Sequence, residues 1–254
     1  MAIISDDESI SGAPDDDRPE PGQMSLVEHL TELRRRLIIS ALAVLAGAIL
    51  CFIFYNFILD FLTGPYTEVT GKETLLQTDP LEGFATRLKI ATYGGIFLAS
   101  PVVLWELWRF ITPGLHPKEK RYAVPFIVAS IVLFMFGVFV AMRTFEPALS
   151  FLTGVGGENL DPNFSPSKYL SFITLMFVAF GVAFEFPIVL IALELAGVLT
   201  SQKLRKWRRP AAVGVVLAAA LITPSQDPYS LFFMAVPMYL FYEISILIGR
   251  LLKK

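Results

Sequence analysis

Six apolar runs, each closed off by clusters of charge, dominate the chain. They cover about residues 37–59, 90–111, 122–142, 169–199, 210–222 and 228–249. No charged residue falls between Arg36 and Asp60 in the first, or anywhere in the third. A hydrocarbon core of about 30 Å is crossed by about 20 apolar residues in a helix. Only helices and closed barrels satisfy their own backbone groups there. The pattern therefore predicts an all-α membrane protein with six transmembrane helices, forming a single domain over residues 24–254.

The spans are uneven. The fifth has only 13 residues, about 20 Å of helix, and a short turn at 223–228 joins it to the sixth. This hairpin is expected to stop short of the far face and to leave a recess or a locally thin bilayer. Pro101, Pro125, Pro187, Pro210 and Pro237 lie in or near the spans after the first, where proline bends helices. A concave, glove-like bundle with short fifth and sixth spans is the expected architecture. Asp79-Pro80-Leu81-Glu82 offers an N-cap, a proline at the first helical position and a glutamate at N3. The second helix should thus begin near Pro80 and overshoot the bilayer.

Ahead of the first span, Leu26, Leu30, Leu33 and Leu37 recur at helical spacing, and Ser25 with Glu28 forms a capping-box signature. This predicts a short amphipathic helix on the membrane surface, leading into the span. Residues 1–23 read as a disordered acidic tail, rich in Asp, Glu and Pro. They lack the basic n-region and short apolar core of a cleavable signal peptide.

Of 254 residues, 54% are apolar and 17% charged, against roughly 25% charged in soluble domains. The formal net charge is −2, and no basic surface suggests nucleic acid. The lone cysteine, Cys51, excludes disulfides within the chain, and the two histidines, His29 and His116, lie outside the apolar runs. No metal or cofactor site is expected, and no histidine stands ready for a protease dyad. Sixteen of the 21 Lys and Arg residues fall in the N-terminal segment, the 109–121 and 203–209 connections and the C-terminus. The positive-inside rule then puts both termini in the cytoplasm, in agreement with an even number of spans, which requires them to share a side.

Three groups of residues could carry chemistry. Glu185 sits mid-span, two residues before Pro187, and intramembrane carboxyls are costly to place. It reads either as a protonated side chain bonded to a neighbouring helix or as a polar point met by a substrate or partner. Glu194 and Glu243, nearer span ends, suit an interfacial role. Glu32, followed by Arg35 and Arg36, and Glu119, within Lys118-Glu119-Lys120-Arg121, read equally as surface ion pairs or as acceptors for a guanidinium ligand. Trp105, Trp108 and Phe110 suit an interfacial aromatic belt.

The run His29-Leu30-Thr31-Glu32-Leu33-Arg34-Arg35-Arg36-Leu37 resembles the HLxELRxRL signature of the TatC family, the multispanning core subunit of the twin-arginine protein translocase. Ser100 to Leu115, Phe180 to Pro187, and Thr223 to Asp227-Pro228 with Val236-Pro237 and Tyr242-Glu243 resemble its later motifs in order. The resemblance implies a receptor rather than an enzyme, resident in a bacterial inner membrane. It would bind twin-arginine signal peptides of folded precursors through Glu32 and Glu119, with Phe110 and Arg34 beside them. It also implies an intramembrane polar site at Glu185, functional loop residues at Pro65 and Asp227, and TatB and TatA as single-span partners. Self-association and drive by the proton-motive force are implied too. Trp105-Glu106 departs from the family's usual Tyr-Gln, and Leu231 replaces a frequent glutamine. From residues alone, a midplane carboxyl in discontinuous spans also fits a proton-coupled carrier of a small solute.

Overall fold

The computed structural model describes residues 26–111, 123–157, 162–225 and 227–252. The predicted tail, Ser25 of the capping box and Glu119 lie outside the described residues. Those described are helical with short connections: α1 (Leu26–Ile53), α2 (Tyr55–Thr70), α3 (Glu82–Ile111), α4 (Ala123–Val155), α5 (Pro166–Phe184), α6 (Phe186–Leu195), α7 (Ser201–Lys206), α8 (Arg208–Ile222) and α9 (Pro228–Leu252).

Five helical stretches are long and apolar enough to cross a membrane: α1, α3, α4, α5 with α6, and α9. At 15 residues, α8 is about 22 Å long and falls short of that length. The amphipathic stripe at Leu30–Leu37 is not a separate helix; it is the beginning of α1, which continues unbroken to Ile53.

The core forms around α5. Tyr169, Leu170, Ile173, Met176, Phe180 and Phe184 are all buried, and with Tyr66, Phe145 and Met234 they fill the centre of the bundle. In contrast, α1 packs chiefly on α3. Its other sides leave Leu42, Leu45, Ile49 and Ile53 exposed, as an apolar surface facing lipid would be. The α1–α3 seam is close because neither helix has a Cβ at the crossing. A Cβ on Gly95 would meet the backbone N of Ala48 at 2.6 Å.

The prolines act unequally. Pro125 and Pro210 fall in the first turns of α4 and α8, where the missing N–H has no intrahelical acceptor to lose. They start helices rather than bend them. Helices α3 and α9 continue through Pro101 and Pro237. The full interruption comes at Glu185, between α5 and α6, with Pro187 in the first turn of α6.

One end of the bundle is closed by α2 and the segments flanking it. The Tyr169 hydroxyl donates to Leu62 O at 2.7 Å, and Leu76 N donates to Phe164 O at 3.2 Å. Helix α3 begins two residues later than the Asp79-Pro80 signal predicts. Asp79 Oδ1 accepts instead from Leu81 N at 2.7 Å. Glu82 reaches back to Thr78 N at 2.9 Å and also across to α5, accepting from the Ser165 hydroxyl and from Ser167 N at 3.3 Å. A carboxylate expected to cap its own helix thus also caps a second one, where the N-terminal N–H groups and dipole favour an anion.

Candidate functional site

At the opposite end, the start of α1 meets the end of α3. Glu32 and Arg36 share a face of α1 because they are four residues apart. Arg36 donates from Nε to Glu32 Oε1 at 3.1 Å, and Nη2 bonds to the same oxygen. Its remaining arm, Nη1, donates to Glu106 Oε2 on α3 at 2.9 Å. The second oxygen of Glu32 is shielded from solvent and has no hydrogen-bond partner among the described residues. A cavity of about 90 Å³ opens here, lined by both carboxylates, Arg35, Arg36, Ile39 and Arg109. One turn further along, Phe110 stacks on His29 with ring centroids 4.4 Å apart.

The structure thus brings Glu32 and Phe110 to one corner. Arg34, also named from the sequence, is exposed on α1 and is not among the residues lining this cavity. Of the two arginines that could pair with Glu32, the i+4 residue is the one engaged. Glu106 stood in the sequence only as a departure from the family pattern. Its ion pair with Arg36 spans 70 residues and has no local signature.

A second polar site lies deeper. Ser130 on α4 donates its hydroxyl to Glu185 Oε2 and accepts from Trp108 Nε1 at 3.0 Å. The other Glu185 oxygen is shielded and unpartnered among the described residues. Beside it lies an apolar recess of about 480 Å³ between α5, α6, α8 and α9, lined by residues including Val182, Val189, Gly214, Ala218 and Met238. Glu185, at the break between α5 and α6, is one of the residues lining this recess. Trp108 is buried, which corrects its assignment to an interfacial belt; Trp105, by contrast, is 39% exposed.

The remaining named residues serve the frame. Asp227 is buried and caps α9: its Oδ1 accepts from Ser230 N at 2.8 Å, its Oδ2 from the Ser225 hydroxyl, and Pro228 opens the helix. Pro65 lies inside α2, next to the fully buried Tyr66, whose hydroxyl donates to Pro162 O at 3.4 Å. Glu243 pairs with Arg208. Glu194 is not interfacial, as expected from its position near a span end, but fully buried against Gly249 of α9.

The model of the family "Sec-independent protein translocase protein (TatC)" matches residues 28–237. The chain belongs to the TatC family. It is 41% identical over 231 residues to the TatC of Aquifex aeolicus, a match covering 90% of this chain and 95% of that one. The TatC of Frankia casuarinae is 39% identical over 244 residues, covering 91% of this chain and 67% of its own length. A solved structure described as a "Twin Arginine Translocase Receptor- TatC" superposes with a TM-score of 0.73 at 40% identity, over 89% of this chain and all of that one. Membership makes this chain a membrane component of a protein translocase. TatC matching runs through both polar sites, from the Glu32 corner on α1 to α9.

Proposed function

We propose that this chain is the receptor subunit of a twin-arginine translocase in a bacterial inner membrane. Its work is recognition and assembly, with no covalent step. With six spans, α8 being the short fifth, both termini share a side, and the distribution of Lys and Arg favours the cytoplasm for it. The Glu32 corner then faces the cytoplasm, where Glu32 and Glu119 accept the two arginines of a signal peptide, with Phe110 and Arg34 beside them. Charge-assisted bonds of about 1.5–3 kcal/mol each suit reversible docking.

The observation carrying this reading is the shielded oxygen of Glu32, without a hydrogen-bond partner among the described residues, in a polar cavity at the α1–α3 corner. A carboxylate with one free acceptor is prepared for a guanidinium. The apolar part of the signal follows the recess toward Glu185. TatB and TatA pack on the bundle as single-span partners, copies of the chain associate in the complex, and the proton-motive force drives transport. Family membership favours this over carriage of a small solute.

The test is cross-linking of a twin-arginine precursor to photoreactive probes along residues 26–36 and 108–121. Glu32→Ala combined with Glu119→Ala should abolish the adducts while membrane insertion is retained; undiminished adducts would remove the docking assignment. Glu185→Ala should leave the adducts and impair export.

A further inference from the structure

We propose that Arg36 is an internal stand-in for the ligand's guanidinium and that Glu106 holds it when the ligand takes Glu32. The inference rests on the docking role of Glu32 argued above and adds how that seat discriminates.

Three observations carry it. First, Arg36 already does to Glu32 what a signal arginine would do: two of its nitrogens converge on Oε1, leaving Oε2 without a partner among the described residues. Second, the same guanidinium is anchored separately on Glu106 through Nη1 at 2.9 Å. Release from Glu32 therefore leaves Arg36 paired. Third, among the described residues the cavity lining carries three guanidinium groups, Arg35, Arg36 and Arg109, against the two carboxylates Glu32 and Glu106. A further cation cannot simply be added to this surplus of positive charge. It has to exchange with one already there, and among the described residues Arg36 is the one seen with an alternative carboxylate partner.

Exchange sets the specificity. A guanidinium presents a planar fork that matches both oxygens of a carboxylate, whereas an ammonium is a point charge without that fork. A peptide arginine can replace the bonds Arg36 gives up and use the idle oxygen as well. A lysine cannot match the bonds it would have to displace. Arg36 is in this account a specificity-determining residue, and Glu106 a positioning residue that acts through it.

The test is equilibrium binding of fluorescent twin-arginine and twin-lysine peptides to the full chain in lipid nanodiscs. Wild type is compared with Arg36→Gln, Glu106→Gln and the double variant. Exchange predicts that Glu106→Gln weakens twin-arginine binding about tenfold, since Arg36 loses its alternative seat. Arg36→Gln should tighten it about tenfold and bring the twin-lysine peptide closer in affinity. The double variant decides, because it has the same local net charge as wild type. Exchange predicts that it binds about tenfold tighter than wild type, with Glu32 vacated; simple charge matching predicts wild-type affinity and would overturn the proposal. An equal cost of Glu106→Gln with and without Arg36 would overturn it too. Should Arg36→Gln fail to fold, Arg36→Lys keeps the charge without the fork. It should tighten binding, and weaker binding would count against exchange. Absence of any twin-arginine binding by the wild-type chain would instead overturn the docking role itself, and this inference with it.

Discussion

The indole N–H of Trp108 and the hydroxyl of Ser130 are 3.0 Å apart, and the same hydroxyl donates to Glu185. One serine on α4 therefore joins α3 to the α5–α6 break. It can do so because a hydroxyl has one proton to give and two lone pairs to receive. The Glu185 carboxyl is held through one oxygen, while its other oxygen is shielded without a partner among the described residues.

Ser130→Ala removes both bonds at once, in a fully buried position. Loss of partners for buried polar groups costs about 1–3 kcal/mol. The unfolding midpoint of the purified protein in detergent should fall, and Ser130→Thr, which keeps a hydroxyl, should recover part of the loss. An unchanged midpoint in the alanine variant would mean that the relay holds nothing together.

The two polar sites differ in how far they could be read in the chain. Glu185 stands out because a charge in an apolar run is conspicuous, and Pro187 two residues on marks the helix break at which it sits. Its partners do not stand out. Ser130 is an ordinary small polar residue in α4, and Trp108 looks like any aromatic near a span end. Only the packing of α3 on α4 makes the two a pair. Glu106 pairs with Arg36 and Glu82 with Ser165 at separations of 70 and 83 residues, beyond any rule of local spacing. The apolar runs themselves were legible because the bilayer imposes a length and a composition on each helix. The break at Phe54, between α1 and α2, was not, since no proline or glycine marks it.

Glu82 links stability to pH. It opens α3, ahead of Arg87 and Lys89 and of the apolar run that follows them. The Ser165 hydroxyl and the Thr78 and Ser167 N–H groups pull its carboxyl down from an ordinary value near 4.5 to about 2. A carboxylate whose folded value is depressed contributes stability in full above the unfolded value and loses it as pH falls toward the folded one. The unfolding midpoint in detergent should therefore drop between about pH 4.5 and pH 2. Glu82→Gln should lower the midpoint at neutral pH and flatten that acid limb. An acid limb of the same steepness in the variant would assign the pH dependence to other groups.

Asp227 tests whether a loop residue of the family acts through structure. As the N-cap of α9 it satisfies Ser230 N, and loss of such a cap costs about 0.5–2 kcal/mol. Asp227→Ala should lower the unfolding midpoint, while Asp227→Asn, also a good cap, should retain most of the stability. If export fails equally in both variants while only the alanine form is destabilised, the carboxylate does something beyond capping.

With the proposed docking role, the α1–α3 seam connects packing to recognition. Glu32 and Arg36 sit on α1, Glu106 and Phe110 on α3, and few other contacts locate α1 among the described residues. Their relative position therefore depends on how closely these two helices approach. At Gly95 a Cβ would meet Ala48 N at 2.6 Å and Val44 O at 2.8 Å, both backbone atoms that cannot turn aside as a side chain would. Gly95→Val must push the helices apart, and overpacking of this kind costs about 1–3 kcal/mol. The variant should unfold at a lower temperature. On the proposed docking role it should also give weaker cross-linking of a twin-arginine peptide to residues 26–36, although position 95 lies several helical turns from the Glu32 corner. Weaker cross-linking with an unchanged midpoint would mean that the seam sets the site's geometry without contributing to stability. Wild-type behaviour in both measurements would show that α1 can shift freely along α3, and the fixed Arg36–Glu106 pairing would then lose its physical basis.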